Sequence, residues 1–64
     1  MTVKDVVSYP FIREGTLVYI RDEEFTLLAC SFRTRSEIRR FWQSDVKAFS
    51  WDDSNDLYIT IRED

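Results

Sequence analysis

Cys30 is the single thiol of this chain and the first residue to weigh for chemistry. A thiol attacks as its thiolate, so it needs a neighbouring base or a lowered pKa. The chain contains no histidine to act as that base. Cys30 therefore reads as a small apolar residue of a strand. The same absence removes common ligands of a structural zinc site. Carboxylates are plentiful but gather at Asp22-Glu23-Glu24, at Asp52-Asp53 with Asp56, and at Glu63-Asp64. These are turn-like positions and imply no cleft. No catalysis by this chain alone is expected, and no cofactor or metal.

Binding chemistry is better represented. Arg35, Arg39 and Arg40, with Gln43, lie inside the stretch Thr34–Ser44, T-R-S-E-I-R-R-F-W-Q-S. Arginine neutralises phosphate and aromatic rings stack on bases, so Phe41 and Trp42 alongside suggest a nucleic-acid surface. Against this, the net charge is −3. Residues 33–40 carry a local +3, which leaves −6 on the rest. Phosphate affinity scales with the number of charges engaged, and three or four are few. A small nucleic-acid-associated factor is thus the alternative reading, and a protein is the preferred partner.

The acidic end has the sharpest spacing. Against the calcium-loop template, Asp52, Ser54, Asp56, Tyr58, Thr60 and Glu63 occupy the ligand positions. Leu57 stands where that loop needs glycine, and the residues after it alternate like a strand. A polar hairpin turn rich in Asp and Asn is the preferred reading. The stretch W-D-D-S-N-D-L-Y-I-T-I-R-E-D also resembles the acidic motif of Phox-and-Bem-type head-to-tail interaction domains. The likeness covers about the last fifteen residues. That family's second helix and final strand have no counterpart here, and the basic residues lie on a helix rather than a first strand, so no family is assigned. The likeness implies that a basic face on one molecule can meet an acidic end on another.

Several elements must position these residues. Ile38, Phe41 and Trp42 fall at i, i+3 and i+4, which predicts a helix from about Arg35 with an aromatic face inward and arginines outward. Thr34 and Glu37 have capping-box spacing for its start. Thr16–Arg21 and Phe25–Arg33 read as a hairpin around R-D-E-E. Both faces of the second strand are apolar, which predicts a central strand. Val46–Trp51 and Leu57–Arg62 form a second hairpin around D-D-S-N-D, with Phe49 and Trp51 expected on the buried face. Residues 2–8 fit a helix or a strand. Tyr9–Arg13 fits a short strand, and Gly15 is expected at a positive φ. The predicted fold is α+β: a small two-layer ββαββ domain, with an antiparallel-rich sheet and one helix packed across it.

Sixty-four residues make one domain, spanning residues 1–64, and bury a modest core. Five Phe, three Tyr and two Trp exceed what such a core can hide. Exposed aromatics favour partner contact or self-association, so a homodimer is expected. No targeting or membrane-spanning run is visible, which suggests a complete cytoplasmic reading frame and no membrane. The chain reads as a small acidic adaptor or inhibitor of a larger protein, of the kind phages and other mobile elements carry. Its expected contact residues are Arg35, Arg39, Arg40 and Gln43 at one pole and Asp52, Asp53 and Asp56 at the other.

Overall fold

The computed structural model describes residues 1–10, 12–13 and 15–62. Two short helices, α1 (Val3–Val7) and α2 (Ser36–Arg39), accompany four strands, β1 (Leu17–Arg21), β2 (Leu27–Phe32), β3 (Val46–Trp51) and β4 (Leu57–Ile61). The sheet order is β2-β1-β4-β3. The two hairpins are antiparallel, and β1 and β4 run parallel at the centre. The α+β class is as expected from the sequence. The sheet is mixed, and a second helix joins the one predicted.

Residues 2–8 resolve as helix for a local reason. Thr2 and Asp5 close a capping box: the Thr2 amide donates to Asp5 Oδ2 at 2.9 Å, and the Asp5 amide to Thr2 Oγ1 at 3.3 Å. Val3, Val6 and Val7 then point inward together and are buried. The α1 amides at Val3 and Lys4 donate to the carbonyls of Ser44 and Trp42. That docking accounts for the largest departure from expectation. The helix predicted from Arg35 keeps one α-turn, then tightens: Phe41 donates to Ile38 at 2.9 Å and Trp42 to Arg39 at 3.2 Å. The Trp42 and Ser44 carbonyls serve α1 instead of a longer helix. The predicted cap at Thr34 is also absent. Arg35 is the N-cap with no side-chain bond, and Glu37 accepts from its neighbour Ser36.

The core is aliphatic. Val18 and Ile20 of β1, Leu57, Ile59 and Ile61 of β4, and Ile38 interlock with Ile12 and the α1 valines. Each fully buried Ile or Leu contributes roughly 1.5–3 kcal/mol relative to exposure. Phe41 and Trp42 pack against this core and are only half-buried. Three further expectations are corrected. β2 lies at the sheet edge rather than the centre. Phe49 and Trp51 pair with Ile59 and Leu57 and share the core face, but they sit on the other edge strand and stay 39% and 40% exposed. Tyr9, Pro10, Ile12 and Arg13 form no strand, with Phe11 outside the described residues, and Gly15 has no positive φ.

The Asp5 carboxyl is held below its ordinary pKa, chiefly by its bond to the Thr2 backbone and then by the Thr2 hydroxyl. A depressed folded pKa favours folding above the unfolded value, and that contribution is lost as pH falls through the folded one. Thermal melts from pH 6 down to pH 2 should therefore show a fall in stability beginning near pH 4, with a shallower fall in Asp5→Asn. Identical slopes in the two proteins would remove Asp5 from the acid response.

Candidate functional interface

The helices cover one face of the sheet. Register places the alternate residues on the other: Leu17, Tyr19 and Arg21 of β1, Cys30 and Phe32 of β2, and Tyr58 and Thr60 of β4. Among the described residues no helix packs there. Tyr19 and Tyr58 are cross-strand partners, and their rings stack with centroids 4.7 Å apart. The Arg21 guanidinium lies 4.9 Å from the Tyr58 ring and 4.9 Å from the Phe25 ring. The result is one continuous layer, Phe25–Arg21–Tyr58–Tyr19, on the uncovered face. The Tyr58 hydroxyl donates to Asp52 Oδ2 at 3.2 Å. Partial burial raises the pKa of both phenols, with Cys30 next in effect at Tyr19 and Asp52 next at Tyr58, so both stay protonated.

The two hairpin turns are built alike. Asp22 Oδ1 accepts from the amides of Glu24 and Thr26, each at 2.9 Å. Asp52 Oδ1 accepts from Ser54 at 2.8 Å and Asp56 at 2.9 Å. In each turn the residue three after the aspartate has φ of 65°. In the second it is Asn55, a residue suited to left-handed backbone. In the first it is Phe25, which is not, and which is 66% exposed. A bulky residue at positive φ carries strain of order 1–3 kcal/mol, and such strain gathers at functional positions.

Further exposed apolar residues follow Phe25 along β2. A bulge between Ile20 and Arg21 leaves Leu27 and Leu28 exposed at 54% and 41%, and Phe32 follows at 39%. Four large apolar side chains are thus exposed on one hairpin, and exposed apolar patches are a common feature of interaction sites.

The residues expected to bind a partner divide between two distant places. Arg35, Arg39, Arg40 and Gln43 are all exposed on the helical side. Ser36, Arg39, Arg40, Trp42 and Gln43 line a shallow cleft of about 410 Å³. Lys4 and Arg39 lie 5.6 Å and 5.3 Å from the Trp42 ring centroid. Among the described residues, the one ion pair within 4 Å joins Lys47 and Glu23, so these arginines face no carboxylate at that range. At the acidic pole, Asp52 organises its turn and holds Tyr58, while Asp53 is exposed and Asp56 half-buried. Glu63 of the calcium-like spacing lies outside the described residues. The stretch forms a turn and a strand, and among the described residues no three His, Cys, Asp or Glu side chains converge as a metal would need.

Sequence reasoning missed Phe25, Leu27, Leu28 and Phe32 as surface, along with the Arg21–Tyr58 layer. A signal for Phe25 was present: R-D-E-E-F-T and W-D-D-S-N-D are parallel turn sequences, with Phe where the second has Asn. Among the described residues no helix is long and apolar enough to cross a membrane. No known protein-family model, curated protein or solved structure matches this chain.

Proposed function

We propose that this chain is a protein–protein interaction module that docks on a larger protein through the uncovered sheet face. The observation that carries the reading is Phe25, an exposed aromatic held at positive φ on the hairpin that also exposes Leu27, Leu28 and, at the far end of β2, Phe32. The partner surface that fits is an apolar groove with a basic rim. The apolar side chains fill the groove, and the acidic turns at Glu24 and at Asp53 with Asp56 meet the rim. An adaptor or inhibitor role suits a face of exposed apolar side chains flanked by acidic turns. A reducing, cytoplasmic setting suits the exposed Cys30 thiol.

The second reading, nucleic-acid binding through Arg35, Arg39 and Arg40, is favoured by the absence, among the described residues, of an ion pair within 4 Å at any of the three. Parallel affinity capture separates the two. The parent chain, Phe25→Asn, and the double reversal Arg39→Glu with Arg40→Glu are each presented to lysate of the native host. The expected outcome is one protein retained by the parent and the double reversal and lost by Phe25→Asn. Loss of that protein from the double reversal alone would move the contact to the helical side. A nucleic-acid band at low salt, fading steeply as salt rises and absent from the double reversal, would establish the second reading.

A further inference from the structure

We infer that two copies of this chain pair edge to edge through β2, joining their sheets into one antiparallel sheet of eight strands. The two sheet edges are treated differently. At the β3 edge, Met1 and Thr2 cover the start of the strand: the Val46 amide donates to the Met1 carbonyl at 2.7 Å, and Thr2 bridges Asp45. A bulge between Val46 and Ala48 and the charged Lys47 further blunt that edge. The β2 edge has none of these devices outside its bulged start. Leu27–Phe32 contains no charge and no proline. Among the described residues, only β1 hydrogen-bonds to the backbone of Leu27–Ser31. An uncharged, exposed edge strand is a template for another strand, and covering one edge while leaving the other open limits growth to a pair.

The occupant is identified by self-complementarity. A two-fold axis normal to the sheet keeps the uncovered faces on one side, so uncovered-face residues must oppose one another. Centring the axis on Cys30 satisfies this: Cys30 opposes its own copy, Leu28 opposes Phe32, and Ala29 opposes Ser31. The charges beyond the paired segment then match. Glu24 lies six residues before Cys30 and Arg35 five after, and both are exposed. Antiparallel pairing brings the Glu24 end of one copy to the Arg35 end of the other, twice by symmetry. Arg33 does not take part, because its guanidinium donates to the Ile12 carbonyl at 2.7 Å.

The inference shares Leu28 and Phe32 with the partner reading, but it rests on the open β2 edge and its register, whereas the partner reading rests on Phe25. Its test is mass by light scattering at micromolar concentration, combined with oxidation of Cys30 by copper phenanthroline. In that oxidation two thiols give up two protons and two electrons to the oxidant and form one disulfide. The expected result is twice the 7.7 kDa chain mass and near-complete conversion to a disulfide-linked dimer. Leu28→Lys should be monomeric with an unchanged circular dichroism spectrum. Glu24→Arg alone and Arg35→Glu alone should each weaken the dimer at least tenfold, and the two together should restore it. The charge swap decides the matter even where Leu28→Lys fails to fold. A monomer mass across the concentration range overturns the inference, as does a dimer that Cys30 does not cross-link. Loss of dimer in Arg35→Glu, a residue outside the uncovered face, with retention of the captured protein leaves the partner reading intact.

Discussion

Ile59→Ala is expected to leave this chain largely unfolded at room temperature. Ile59 is fully buried, on one of the two central strands, and pairs with Ile20 on one side and Phe49 on the other. Truncating a buried isoleucine to alanine costs about 2–5 kcal/mol, since the cavity adds to the lost transfer energy. A domain of this size rarely holds more than about 3–5 kcal/mol in total. The neighbours have little freedom to collapse into the gap, because Val18, Ile20 and Leu57 are held by the sheet and Ile38 by its own turn. Circular dichroism with a urea titration checks this. A cooperative transition with the parent midpoint would mean that the core is not where the burial places it. Trp42→Ala should cost less than the same change at a fully buried aromatic, since Trp42 is only half-buried and its indole N–H is buried without a partner.

Phe25→Asn is expected to do two opposite things: stabilise the fold and remove partner binding. Asparagine adopts left-handed backbone with little strain, as Asn55 does in the sister turn. Relief of about 1–2 kcal/mol is partly offset by loss of the Arg21–Phe25 contact, worth about 0.5–1 kcal/mol at an exposed site. The net gain should raise the melting temperature by about 2–6 °C in a domain of this length. Affinity for the captured protein should fall at least tenfold, as for a central aromatic anchor. A lower melting temperature would show that Phe25 serves the fold. Unchanged affinity would show that its exposure has no part in binding.

The sequence exposed the fold more fully than the surface. The alternation of Leu57, Ile59 and Ile61 and the β-branched run of Thr16–Arg21 are local signals, and both strands form where that alternation places them. The helix from Arg35 forms but is shorter than predicted, because its length is decided elsewhere. The amides of Val3 and Lys4 draw on the carbonyls of Ser44 and Trp42, a long-range demand that helical periodicity cannot register. β2 was expected at the centre because both its faces are apolar. That same pattern also occurs in an edge strand that exposes apolar residues, as β2 does, and composition alone does not separate the two. Phe49 and Trp51 were placed on the correct face, but how far two short helices reach across a sheet is not written in alternation. Arg35, Arg39, Arg40 and Gln43 were expected at the surface and are there. The Phe25–Arg21–Tyr58–Tyr19 layer was missed because its members come from a turn and two strands distant in sequence.

Hydroxyl-radical footprinting of the chain, alone and bound to its captured partner, tests the central claim most directly. It reads side-chain exposure residue by residue, and the two candidate surfaces carry different reactive aromatics. The uncovered-face reading predicts strong protection of Phe25, Leu27, Leu28 and Phe32 on binding, with Trp42 and Phe49 reacting as in the free chain. Protection of Trp42 with Phe25 and Phe32 unchanged would contradict it and place the partner on the arginine side.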